Sequence, residues 1–482
     1  MIQVRVAESS RGLVFSLAPS RSEGRGRRRY PLEWPAGIWK KLPARFREVL
    51  ADNLAHLLTL DTPLVAHAEG VRLNRPRPCF WSEYRTAALG GIPAAVESYP
   101  RERTSATLAR FRALRYEFDR DLPRMPSARV WPTRPRVVVL FSSGKDSLAT
   151  LGLAREMGLD PVAVYVDDTV SPGENRLKRE RVARLRAMGF PAQIVTNRVE
   201  QLNDFARWDG RETCLGYLHM VTSFALIALP VARAFRARYI ALGNEQDLSF
   251  TFTNKDGFLT YPSFDQTSGW TMQLDLMTRT LTGGAVRTMS LIEPLTGFAV
   301  MKTLVERYPE LAALEASCDA LDSCDEPRWC ADCSKCATVW IYLLALGVDP
   351  ASVGLKRGFA SARDARFFAL FGPSTSRRAA SLSSGGADTD HYERTTESKE
   401  QQELAFHLAV ERGLAGPLAR RFTSRFPDGI RRDELLAKYL ALRPPSTVPP
   451  ELRDGLMRIL RDAMKQGGFP LARARNDTYN GR

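Results

Sequence analysis

The sequence contains no apolar run approaching the roughly 18–20 residues that a bilayer span requires. Its first residues, MIQVRVAESSRGLVFSLAPS, lack the basic-then-apolar order of a secretory leader. These two absences predict a cytoplasmic protein without membrane insertion. Glycine follows no collagen-like period, and the composition is far from that of a disordered chain or a small disulfide scaffold. Also missing are a basic stripe interleaved with aromatics and any known nucleic-acid module, so the positive charge does not by itself choose nucleic acid over other anions, nor exclude it.

The bulk of what is present is ordinary. The 482 residues are 44% hydrophobic and 26% charged, and 69 Lys plus Arg against 54 Asp plus Glu give a net charge of +15. At about 100–200 residues per domain, two to four domains are expected. Seven cysteines are unevenly placed: Cys79 and Cys214 stand alone, whereas Cys318, Cys324, Cys330, Cys333 and Cys336 fall within 19 residues. In a cytoplasmic chain such clustering favours a metal over disulfides. Cys330-x-x-Cys333-x-x-Cys336 offers three thiolates on a compact turn, and either Cys324 or Cys318 completes a tetrahedral zinc shell. No coordination position remains for water, so the expected role is structural. A redox CxxC is the rival, but that motif opens a helix in a thioredoxin-like unit, which five clustered cysteines do not resemble.

Along the chain, residues 1–125 read as a small α+β domain, with alternating pieces at 3–6 and 13–17 and helices over 42–60 and 104–118. A Pro-punctuated connector follows at 122–135. From there short apolar runs at 137–141, 161–166, 192–196 and 239–242 alternate with helical stretches at 148–157, 174–188 and 216–235. That rhythm predicts an α/β core over residues 133–347, with a parallel sheet covered on both faces and the cysteine cluster 318–336 as a knuckle. Residues 348–375 read as a helical extension, 376–400 as a flexible polar insertion, and 401–482 as a helical C-terminal region.

The most informative stretch is Phe141-Ser-Ser-Gly-Lys-Asp-Ser147, directly after an apolar strand and before a helix. In that position turn and helix N–H groups converge on one point and form a nest for anionic oxygens. Gly144 lets the backbone approach a phosphate, and Ser142, Ser143 and Ser147 add hydroxyl donors. Lys145 brings positive charge, and Asp146 can hold the magnesium that polyphosphates carry. The spacing is not that of a Walker A loop. Read blandly, the stretch is a Ser/Gly turn capping a helix, with Asp146 favouring the helix dipole.

With its SSGKDS stretch the chain resembles the PP-loop ATP pyrophosphatase superfamily, whose loop reads SGGxDS; Ser143 stands where Gly is usual. The resemblance implies a Rossmann-like PP-loop core, ATP as ligand of the loop, and splitting of ATP between its α and β phosphates. Asp167 and Asp168 end the second core strand, at the edge where α/β sheets bind ligands. Gly243-Asn244-Glu245-Gln246-Asp247 resembles the family's Gly-plus-acid turn near metal and substrate, which implies a catalytic role for Glu245 and nucleotide contacts for Gly243 and Asn244. Over most of residues 137–420 the chain further resembles the ATP-dependent UDP-N-acetylmuramoyl-L-alanyl-L-glutamate epimerases of peptidoglycan synthesis. The shared features are FSSGKDSL, Leu242-Gly-Asn-Glu245, Ile292-Glu-Pro-Leu-Thr296, and Arg328-Trp-Cys-Ala-Asp-Cys-Ser-Lys-Cys-Ala337. Departures are Ser334 for Pro, Thr338 for an aromatic, the polar insertion and a loosely matching N-terminal part.

The resemblance implies an isomerase that adenylates the substrate carboxylate, so that a general base can remove the acidified Cα–H and return a proton to the opposite face. Its substrate would be a UDP-muramoyl dipeptide. Candidates for the base are Lys255, Asp256, Tyr261 and Asp265, with His219 and Cys214 as alternatives, and the sequence does not choose among them. Two rivals remain: a 7-cyano-7-deazaguanine synthase-like or RNA-modifying enzyme with the same loop, and a non-catalytic nucleotide-binding module.

Overall fold

A computed structural model describes residues 1–17, 28–99, 101–127, 130–168, 172–208, 213, 215–318, 328–372 and 393–465. Its strands are β1 (Ile2–Glu8), β2 (Gly12–Leu17), β3 (Arg29–Glu33), β4 (Gly70–Leu73), β5 (Arg115–Glu117), β6 (Arg134–Leu140), β7 (Pro161–Asp167), β8 (Ala192–Asn197), β9 (Ala237–Leu242), β10 (Phe252–Thr253), β11 (Leu259–Thr260) and β12 (Arg287–Ser290). Apart from the β10–β11 hairpin, they form one ten-stranded, mostly parallel sheet in the order β12-β9-β6-β7-β8-β3-β2-β1-β4-β5. The protein is α/β, with helices packed against this sheet.

The half from β12 to β8 is parallel throughout. Counting β6 as first in the chain, its order is 3-2-1-4-5, so the winding reverses between β6 and β9 and opens a crevice at their carboxyl ends. Burial follows from the sequence: β7 is apolar up to its last residue, Asp167, and buried at every position, as a strand covered on both faces must be. β1 instead buries alternate residues, the mark of a strand with one wet face.

The first 125 residues contribute the remaining five strands, joined through a short antiparallel contact in which Leu32 faces Asn197 and Glu33 faces Thr196. The two regions share one apolar core, running from Val4 and Trp34 to Leu226 and Leu274. Within it the Trp34 indole donates to the carbonyl of Ile227 at 2.8 Å.

Several elements differ from the sequence expectation. The helix expected over 104–118 stops at Ala113, and Arg115–Glu117 becomes β5 because Glu69 O and β4 offer it an edge. The helices Trp81–Glu97 and Ser268–Thr282 had no counterpart in the sequence reading. The stretch expected to be flexible up to residue 400 turns helical at Thr396, where Thr395 Oγ1 accepts from Ser398 N at 3.0 Å. Among the described residues no helix is long and apolar enough to cross a membrane.

Candidate functional site

The turn after β6 opens the helix Lys145–Glu156 at the winding reversal. Gly144 is the N-cap and no side chain caps the helix end, which leaves its first N–H groups facing the crevice. Ser143 adopts a left-handed backbone conformation with φ 63°. A non-glycine residue holds that conformation only under constraint. Here the constraint is the 314–316 segment: Ser143 Oγ donates to Leu314 O at 2.9 Å, and Ala316 N donates to Ser143 O at 2.9 Å. Ser142 N donates to Ser147 Oγ at 3.3 Å, and Ser147 Oγ donates to Gly144 O at 3.1 Å, which draws the turn tight. A Cβ on Gly144 would stand 3.1 Å from Ser317 Oγ, so the residue leaves room between the turn and its roof.

Lys145 Nζ reaches Asp146 Oδ1 and Glu245 Oε2, each at 2.6 Å. The β9 turn comes this close because Gly243 packs against Asp146, where a Cβ would stand 3.1 Å from its Cβ. Asp247, from the same turn, accepts from Gly297 N and Gln401 Nε2, both at 2.9 Å, while its Oδ1 is buried without a partner. Gly297 opens the helix Gly297–Arg307, so a second helix N-terminus faces the carboxylates.

Electrostatics follows from this crowding. Burial alone would strip Lys145 of its proton, but Asp146 and Glu245 override it and hold the ammonium charged. Burial, then the Asp146 charge, raises Glu245 well above the usual carboxylate range. Burial also raises Asp247, against its hydrogen bonds from Gln401 and Gly297. Glu315, next to the turn, is pushed by burial to about 7; its Oε1 accepts from Ser317 Oγ, and its Oε2 has no partner among the described residues. Two carboxylates therefore pair with one ammonium, with Asp247 held in the same turn as Glu245.

The other sequence candidates separate. Asn244 donates to Thr271 Oγ1 at 3.0 Å and supports the β9 turn. The Asp167 carboxylate is engaged by Arg179 and, at 3.3 Å, by Arg198. Asp256 accepts from Arg103 at 2.8 Å and from Thr104 N at 2.7 Å, capping the helix Thr104–Ala113; the Thr104 N–H and Arg103 bonds lower its pKa to about 2. Lys255 donates to Tyr99 O from the same turn. Asp265 is buried and accepts from Thr222 N at 3.1 Å. His219 Nε2 is 2.6 Å from Leu57 O, and Nδ1 stands 3.0 Å from Asp61 Oδ2 as an ion pair without hydrogen-bond geometry. Of the four first-named base candidates, Tyr261 alone lines the cavity of about 850 Å³ beside the β9 turn, with Thr86, Gln246, Trp270, Gln273 and Arg443. Cys214 lies outside the described residues, as does Cys324.

Four buried thiols, Cys318, Cys330, Cys333 and Cys336, lie within 4.8 Å of one another. Cys330 Sγ and Cys336 Sγ are 3.7 Å apart, too long for a disulfide and close to the tetrahedron edge of roughly 3.8 Å that Zn–S bonds of about 2.3 Å generate. Backbone N–H groups already point at three sulfurs: Cys330 N to Cys318 Sγ, Asp332 N to Cys330 Sγ and Cys336 N to Cys333 Sγ. The donor set fits a structural zinc, with Cys318 at the fourth corner.

Sequence reasoning missed Gln401, Glu315, Ser317 and Arg443. No local signal marks them, since each reaches the site from a segment without a motif. No protein-family model matches this chain, and no curated protein matches it. What the site can do follows from its own geometry.

Proposed function

We propose that the chain is a magnesium- and ATP-dependent enzyme of the PP-loop kind that adenylates a substrate carboxylate, and that the overall reaction is epimerisation of the terminal L-Glu of UDP-N-acetylmuramoyl-L-Ala-L-Glu. The observation that carries the reading is the open end of the helix Lys145–Glu156 at the winding reversal, next to Lys145, Asp146, Glu245 and Asp247. Helix N–H groups, serine hydroxyls and an ammonium suit phosphate oxygens. The surplus carboxylates and the idle Asp247 oxygen suit Mg²⁺, which Asp146, Glu245 and Asp247 would hold and which would neutralise phosphate charge. Bound ATP would supply the adenylyl group for the carboxylate, with pyrophosphate leaving, so that Cα–H becomes acidic; hydrolysis of the anhydride after reprotonation would release AMP.

In this reading Lys145 orients the phosphates, and Ser142, Ser143, Gly144 and Ser147 shape the turn around them. The adjoining cavity takes the carboxylate substrate, with Arg443 as its cation and Tyr261 as the base candidate in place. A zinc at the four cysteines holds the 314–318 segment, and through it Ser143. The test is to supply ATP, Mg²⁺ and candidate carboxylates, then assay AMP, pyrophosphate and product chirality. The expected result is AMP with D-Glu in the muramoyl dipeptide product. Pyrophosphate release with RNA or a deazapurine acid, and none with the dipeptide, would replace this reading with the rival chemistry.

A further inference from the structure

Arg181 lies on the inward side of the helix Pro172–Ala187, one turn after Leu177 and one turn before Leu185, both buried. Only 3% of the residue is exposed, yet among the described residues neither Nε nor Nη1 has a hydrogen-bond partner. A buried guanidinium with idle donors is strongly unfavourable unless an anion meets it. Its neighbours deepen the deficit. Arg184 follows three residues later on the same helix, and its charge, after burial itself, is the largest influence on Arg181, outweighing the acid Glu180. Arg328 is close enough to feel both guanidiniums. It directs Nε and Nη2 at the carbonyls of Glu315 and Ala313.

We propose that Arg181, with Arg184 and Arg328, forms a second anion site that takes a phosphate-class dianion, either free phosphate or pyrophosphate or the phosphate of a phosphorylated ligand. Guanidinium N–H groups suit phosphate oxygens, and the idle donors of Arg181 beside the charges of Arg184 and Arg328 suit a dianion better than a single carboxylate. The site shares a wall with the turn at Ser143. Carbonyls of 313 and 315 receive Arg328, while Leu314 O and Ala316 N hold Ser143, so occupancy of one side bears on the other. The inference stands on the unmet guanidinium and not on the nucleotide reading.

The test titrates the full, zinc-loaded chain with inorganic phosphate, pyrophosphate and UMP at constant ionic strength, following heat and melting temperature, with chloride as control. It is run in a Lys145→Ala background, so that the turn after β6 does not account for the binding. Saturable binding is expected, weakened about tenfold or more by Arg181→Met and less by Arg184→Gln, as loss of a charged hydrogen bond implies. Without phosphate, Arg181→Met should melt no lower than its parent. Preference for phosphate and pyrophosphate over UMP assigns a free ion, and the reverse assigns a phosphorylated ligand. If Arg181→Met does not fold, the exposed Arg184 variant decides. No saturable binding, or equal affinity in the arginine variants, overturns the proposal.

Discussion

Lys145 and His219 are both buried cations among carboxylates, and they differ in what their surroundings leave open. Around Lys145 stand Asp146, Glu245 and Asp247, with two helix N-termini pointing inward and the cavity alongside. Around His219 stand Asp61, Asp265 and Glu200. There the ring is hydrogen-bonded at Nε2 and ion-paired with Asp61 at Nδ1, Asp265 accepts from Thr222, and Glu200 accepts from Asn197 at 3.0 Å and Asn203 at 3.3 Å. Each cluster keeps one idle carboxylate oxygen, on Asp247 and on Asp61. An idle oxygen is therefore not the discriminator. The end of the helix Lys145–Glu156 is, because among the described residues no side chain caps its first N–H groups, whereas those of Gly297 and Phe298 are taken by Asp247 and Gln401. In the proposed function the first cluster receives a ligand, while the second ties the N-terminal region to the core through Asp61 and Leu57.

The largest effect that separates them is on stability. Replacing His219 by Ala should cost about 3–5 kcal/mol in denaturant unfolding, since it strands buried carboxylates. Turnover of the folded fraction should survive. The same pair predicts a pH dependence. Burial alone would lower the His219 pKa, but Asp61 overrides it and raises the value from 6.5 to about 9. With the folded value above the unfolded one, the stabilisation is complete below the unfolded pKa and is lost as pH rises through the folded one. Wild type should lose roughly 3 kcal/mol of stability across that window, and His219→Gln should flatten the profile. A flat wild-type profile would mean that the ring is not charged.

At the other cluster the loss is in rate. Lys145→Ala should lower AMP formation about 10²–10³-fold while unfolding stability moves far less than in the His219 variant. Full turnover in that variant would break the comparison, because both clusters would then be structural. The smallest expected effect sharpens it. Ser143→Gly relieves a left-handed backbone worth about 1–2 kcal/mol but deletes the bond to Leu314 O, worth about 1 kcal/mol, so stability should change by less than about 1 kcal/mol. Activity should persist, because glycine adopts the same backbone. Ser143→Val should fail on both counts.

Much of the core was readable from local pattern. The apolar runs within β6, β7 and β9 are continuous because both sheet faces are covered, and that signal needs no partner segment to be seen. The turn between β6 and the helix Lys145–Glu156 was legible for the same reason: strand, turn and helix are contiguous. The base candidates were not. Asp256, Asp265 and His219 have the right chemistry for catalysis, yet each is committed to a partner 40 or more residues away, Thr104, Thr222 and Asp61 respectively. The polar start of the helix Thr396–Glu411 hid Gln401, whose amide reaches Asp247 across 154 positions.

From sequence alone came the strand–turn–helix at Lys145 and the three-thiol run at Cys330, Cys333 and Cys336, since residue spacing fixes which side chains converge within one turn. Only the folded chain decided that Cys318 stands at the fourth corner, that β3 extends the core sheet past β8, and that Glu245 and Asp247 close around Lys145. Those contacts join segments far apart in the chain through residues of common type. Nothing in their own neighbourhood singles them out, and packing of the whole core sets where they meet.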